Sequence, residues 1–248
     1  MTTIENDRLS SVESYSETRT YRKVWDWPTR FFHWSLVAAF IGAYVSNKLG
    51  ADYFSLHLFF GYAVIVLVTF RIVWGFIGPR HARFANFLKG PRAVLHYVSA
   101  VGSGRHTRYV GHNPLGALMV LALLASLGAQ AAFGLFGDDE IYNAGPLAPF
   151  VSKEASLLLT SLHRKLFYVL VAAVIVHVTA VLAHVVVMRE PIIRAMVTGH
   201  KPSHLVPAEE TLRSSRGAVA FLLFIAIVAT LAIGLHFAPS AQLDVAAF

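Results

Sequence analysis

Cysteine is absent from the 248 residues. That excludes disulfides, iron–sulfur ligation and any thioether attachment of a cofactor. Charge is scarce as well: Asp, Glu, Lys and Arg make up 14% of the chain, against about 25% in soluble domains. Residues 1–23 hold no apolar run and carry Glu5, Asp7, Glu13 and Glu17, so a mobile tail is expected there rather than a secretory signal. Internal repeats and low-complexity runs are also missing. What remains is apolar: 56% of the residues are hydrophobic. The composition belongs to a membrane protein.

Five apolar stretches can be read, at about 31–48, 55–77, 113–136, 163–188 and 217–236. Each is near the roughly 20 residues that a spanning helix needs, and the first is the shortest and most polar. Basic residues set the expected orientation. Arg8, Arg19, Arg22, Lys23 and Arg30 precede the first stretch; Arg80, Arg83, Lys89, Arg92, Arg105 and Arg108 follow the second; Arg189, Arg194, Lys201, Arg213 and Arg216 follow the fourth. Asp52, Asp138, Asp139, Glu140 and Glu154 belong to the other side. The N-terminus is therefore expected in the cytoplasm and the C-terminus outside a bacterial inner membrane. The net charge of +7 is this topology signal and needs no nucleic-acid partner. A short surface helix is expected near Arg92–Ala100, and Asn113-Pro114 reads as the cap and first turn of the third helix.

The histidines carry the chemistry. His163 and His177 are fourteen residues apart on one stretch, hence on one helical face and about 21 Å apart along the axis. His33 and His57 open two earlier stretches at opposite depths. By depth the pairs are His57 with His163, and His33 with His177. Four ligands in two pairs fit two haems, and with no cysteine for covalent attachment both are b-type. Zinc is a poor rival, because it needs three or four ligands close together. His184, seven residues beyond His177 on nearly the same face, is an open alternative for the inner ligand, a quinone contact or a propionate cap. His112 reads as a structural or quinone-facing residue at the cytoplasmic interface. His81, His96, His106, His200 and His204 are expected in water, and His236 at an interface. Arg71, on the face of His57 but at the cytoplasmic level, has no acidic neighbour in sequence. A buried arginine needs an anion, which a haem propionate would supply with Arg30 beside it; Arg164 would serve the outer haem.

Arg30-Phe-Phe-His33-Trp34, His57 with Gly61-Tyr62, Arg71-Ile-Val-Trp74-Gly75, Gly111-His-Asn-Pro-Leu-Gly116 and His163 with His177 together form a pattern. Over about residues 22–200 it resembles the bacterial cytochrome b561 family, which includes the membrane cytochrome b subunits of nickel–iron hydrogenase and formate dehydrogenase. The resemblance implies a four-helix core holding two b haems, with His57 and His163 on the outer one and His33 and His177 on the inner one. It also implies electron exchange between a periplasmic redox partner, such as a c-type cytochrome or a dehydrogenase, and the quinone pool. Asn113 stands where relatives place a quinone contact, so Asn113, His112 and His184 become quinone candidates.

The expected fold is an all-α integral membrane protein: a four-helix transmembrane bundle around two haems, plus a fifth C-terminal transmembrane helix. The expected division is a tail (1–23), a diheme domain (24–200), and a linker with the extra helix (201–248). An electron-transfer subunit is favoured over a stand-alone enzyme. The rival, a self-sufficient superoxide:quinone oxidoreductase, would want a basic outer surface to steer its anionic substrate, and Asp138-Asp139-Glu140 is acidic. Membrane lipid is an expected contact, and a homodimer is left open.

Overall fold

Local signals start and stop the helices much as they do in isolated peptides. The structure, a computed structural model, describes residues 20–105, 108–141 and 143–238. Most of the expected tail, His106 and the C-terminus itself lie outside the described residues. After strand β1 (Tyr21–Lys23), the Asp26 carboxylate accepts from the Thr29 amide at 2.9 Å and Pro28 enters the first turn, which starts α1 (Trp27–Leu49). A single 3-10 turn leads into α2 (Phe54–Ile77), which stops at Gly78-Pro79. Two short helices follow, α3 (Phe84–Phe87) and α4 (Pro91–Gly102). Asn113 caps α5 (Pro114–Leu135), its Oδ1 accepting from the Gly116 amide at 2.7 Å. Ser152 caps α6 (Lys153–Val186); then come α7 (Ile192–Thr198), β2 (His200–Pro202) and α8 (Gly217–His236).

Among the described residues four helices are long and apolar enough to cross a membrane: α2 with its lead-in turn, α5, α6 and α8. The 23 residues of α1 reach about 34 Å, enough to cross as well, but Arg30, His33, Asn47 and Lys48 make it more polar. Its packing on α2 is the most extensive helix contact among the described residues. Helix α2 also packs on α5, and α5 on α6, while α8 lies against α2 and α1. Phe32, Val64, Leu67, Phe70, Trp74, Leu124, Leu127 and Leu170 fill the core. The outward faces stay apolar, with Phe59, Phe76, Tyr168, Val169, Ile175, Val186, Phe221 and Leu222 all exposed. A continuous apolar exterior is a lipid-facing surface. This is an all-α membrane protein.

Three expectations change. The fourth spanning helix starts at Lys153 rather than at 163. In its first turns the hydroxyls of Ser156 and Thr160 donate to Phe136 O (2.6 Å) and Asp138 O (3.0 Å) and so stitch the preceding loop to the helix. Residues 21–23 belong to a two-stranded antiparallel ribbon, Arg22 opposite Lys201, not to a tail. The stretch 189–216, read as a linker, supplies the other strand, α7 and two 3-10 turns. Together they form a small cap over one end of the bundle, with Val24, Trp25, Ala195 and Val206 as its core. Gly199 joins the halves: its φ of 85° suits glycine, and a Cβ there would stand 2.9 Å from Trp25 O.

Candidate functional site

The polar side chains inside the bundle gather at its two ends. At the end away from the cap, His57 from the first turn of α2 meets His163 from α6. Their ring centroids are 6.2 Å apart and their planes cross at 82°. Each ring is held from behind by a backbone carbonyl, since only a protonated Nδ1 can bond to it: His57 Nδ1–H donates to Ala43 O and His163 Nδ1–H to Gln130 O, both at 2.8 Å. That fixes the tautomer and leaves Nε2 of both rings as the free, basic nitrogen. Two metal–imidazole bonds of about 2 Å each, plus the rings themselves, put centroids roughly 6 Å apart. The rings border one cleft with Tyr62, Asp138, Asn143, Arg164 and the helical glycines Gly61 and Gly134. Nothing stands within 4 Å of where a Gly61 Cβ would point. A flat macrocycle can approach such a bare helix surface.

At the cap end His33 and His177 lie within electrostatic reach of each other. His33 Nδ1 is buried without a partner. Among the described residues, His177 has no hydrogen-bond partner either. Beside them His112 is clamped between Trp25, edge-on at 4.9 Å, and Phe87, tilted at 4.6 Å. Burial first, then the charges of Arg71, Lys201, His81 and His177, push its pKa down to about 3. It is a neutral imidazole at any physiological pH.

Arg71 is buried, with its guanidinium over Phe84 at 4.9 Å. The sequence offered it no acid, but the fold does: buried Asp26 acts on it electrostatically. That carboxylate is nevertheless spent on the Thr29 amide, the Thr29 hydroxyl (2.8 Å) and the Trp74 indole (3.1 Å), and Arg71 Nη1 is left without an acceptor. Arg30 does not join Arg71 by any hydrogen bond; its Nη1 donates to Val197 O and its Nε has no partner. Arg164, by contrast, is exposed beside His163.

His184 behaves differently from the four. Its Nδ1–H donates to Ala180 O at 2.9 Å, and its Nε2 accepts from Asn113 Nδ2 at 3.0 Å and from the Tyr97 hydroxyl at 3.4 Å. Both nitrogens are taken. Tyr97 was missed in the sequence, though it lies on the surface helix expected there and turns its buried face to the bundle. His81 was read as solvated and is buried instead, Nε2–H donating to Glu210 O at 2.8 Å. His96, His200, His204 and His236 are exposed. Lys201 was counted only as a topology charge, yet it is buried, with Nζ donating to Tyr109 O at 3.1 Å. No local pattern announces either residue, because the strand and turns that bury them pair across most of the chain.

Among the described residues no three histidine or acidic side chains converge as a metal cage; the histidines meet in twos. The free Nε2 pair, the bare Gly61 surface and the unpartnered His33 nitrogen are the donor set and cradle that a haem requires. The model of the prokaryotic cytochrome b561 family matches residues 24–199. No match is found among curated proteins or solved structures.

Proposed function

The chain belongs to the prokaryotic cytochrome b561 family, a b-type cytochrome that transfers electrons in a membrane, and from that premise we propose that it carries two haems and connects an outer redox partner to the quinone pool. His57 and His163 hold the outer haem, His33 and His177 the inner one. Haem b, held by these histidines, would supply a one-electron iron couple. The observation that carries the reading is the outer pair: two rings at iron-spanning separation, each locked by a backbone carbonyl so that Nε2 faces away from its anchor. His177 is preferred over His184 because both nitrogens of His184 are already engaged.

The remaining residues orient, shield and move protons. Ala43 O and Gln130 O hold the outer imidazoles in one orientation and one tautomer. Val64, Leu67, Leu124 and Leu127 exclude water between the two levels. Arg71 and Arg30 serve the inner haem, and Arg164 the outer one. Quinone binds at the cap end among His112, Asn113 and His184. There Asn113 works through His184, because its own amide is spent on the Gly116 amide and on His184, and His184 with Tyr97 exchanges the proton that quinone chemistry requires. Arg80, Arg83, Lys89, Arg92 and Arg108 crowd the cap end, which makes that end cytoplasmic. Asp138 and Glu140 mark the other end as the docking side for a basic partner, such as a small c-type cytochrome.

The test is pyridine haemochromogen content per chain in purified protein. Wild type and His184→Ala should hold two b haems, and His57→Ala and His177→Ala one each. A haem-free wild type would sink the reading, and a full complement in His177→Ala would return the inner ligand to His184.

A further inference from the structure

The cap end holds more buried cationic nitrogen than its own acceptors use. Arg71 is 2% exposed and its Nη1 has no partner, while the nearby Asp26 carboxylate is occupied by Thr29 and Trp74. His112 leaves a buried Nδ1 unpartnered as well. Phe87 connects the two: the Arg71 guanidinium lies 5.9 Å from its ring and the His112 ring 4.6 Å. A second cation enters from elsewhere in the chain. Lys201, 4% exposed, comes from β2, beyond the family-matched stretch, and reaches Tyr109 O, three residues before His112. One backbone carbonyl satisfies one of the three hydrogens of an ammonium group. Half-buried Glu190 acts on Lys201 through space, but no carboxylate bonds to Lys201 or to Arg71 among the described residues.

We propose that Arg71, His112 and Lys201 form an oxyanion site at the cap end, made complete by the folded segment that follows the family core. A guanidinium with an open N–H matches a carboxylate or phosphate fork. The ammonium adds a compact point charge, and a neutral imidazole adds one N–H donor. The oxyanion has two sources, the carboxylate of a haem propionate or a free phosphate group from the cytoplasm; the first rests on the haem reading and the second does not. On either source the cap is a working part of the redox domain, because it delivers the second cation.

The experiment uses the purified full-length holoprotein. Midpoint potentials of both haem components are measured by spectroelectrochemistry, with and without added inorganic phosphate, for wild type, Lys201→Met and Lys201→Arg. With a propionate as ligand, Lys201→Met lowers the potential of one component at every phosphate concentration, and Lys201→Arg restores it. With free phosphate as ligand, rising phosphate lowers one wild-type potential, and Lys201→Met needs more phosphate for the same shift. Two haems whose potentials ignore both the variant and phosphate overturn the inference and leave the haem reading standing. A wild type without haem ends the haem reading instead. Phosphate calorimetry on that same protein then decides the site, with no binding heat overturning it. Should Lys201→Met not fold, Lys201→Gln, which keeps a donor without the charge, replaces it in each comparison.

Discussion

A glycine inside a helix costs about 1 kcal/mol relative to alanine, yet Gly61 sits one turn after His57 with open space before it. The bare surface makes sense if something flat lies against it. Gly61→Leu would fill the cleft without touching the bundle core, so the expected result is the loss of one of two haems with unchanged helical circular dichroism. Two haems retained in that variant would remove Gly61 from the site. Gly134 serves the same cleft in another way, since a Cβ there would stand 3.0 Å from the His163 ring. Without that Cβ the helix leaves room for the imidazole at its carbonyl anchor. The pairing of His57 with His163 was legible in the sequence, because helical spacing and apolar length are local properties. The carbonyl anchors were not, since they come from whatever backbone the packing brings behind each ring.

Helix α6 shows how one element sets the distance between sites. Its 34 residues span about 51 Å, and His163 and His177 divide that length nearly symmetrically, about 21 Å apart. Leu170 stands midway between them and is fully buried. It separates the two levels and packs the centre of the bundle. Leu170→Ala should leave haem content unchanged and destabilise the protein by about 2–5 kcal/mol, read as a lower thermal midpoint of the Soret signal in detergent. An unchanged midpoint would show that lipid or neighbouring side chains refill the space. Helix α8 follows the same logic from outside: Phe224 meets Phe31 and Phe70, each at 6.3 Å between ring centroids, so the fifth helix braces α1 and α2 rather than the α5–α6 side.

At the scale of the whole molecule, charge is sorted to the two ends of an apolar cylinder, and the cysteine-free chain makes that sorting easy to test. Ser103→Cys lies at the end of the surface helix α4 on the cap side, and Ala51→Cys in the turn between α1 and α2 on the other; both positions are exposed. In intact cells a membrane-impermeant maleimide should label Ala51→Cys and should reach Ser103→Cys only after lysis. The reverse pattern would turn the molecule over and place the quinone end outside. The cap also changes what the C-terminal segment is for. Backbone bonds such as Val24 N–H to Gly199 O (2.8 Å) and Leu212 N–H to Lys23 O (2.9 Å) tie the chain before α1 to the chain after α6.

The amino-acid sequence by itself determined the membrane class, the fifth helix at 217–236 and the two depths of the four histidines. Each of these depends on composition or on spacing within a single helix, which the backbone dictates without help from distant residues. Only the tertiary structure decided what lies beside those residues. It paired Arg22 with Lys201, brought Asp26 within electrostatic reach of Arg71, engaged both nitrogens of His184, and buried His81 and Lys201. A three-residue strand has no readable period, and its partner here lies about 180 residues away. The energy of such a pairing comes from packing and hydrogen bonds that exist only once both segments have met.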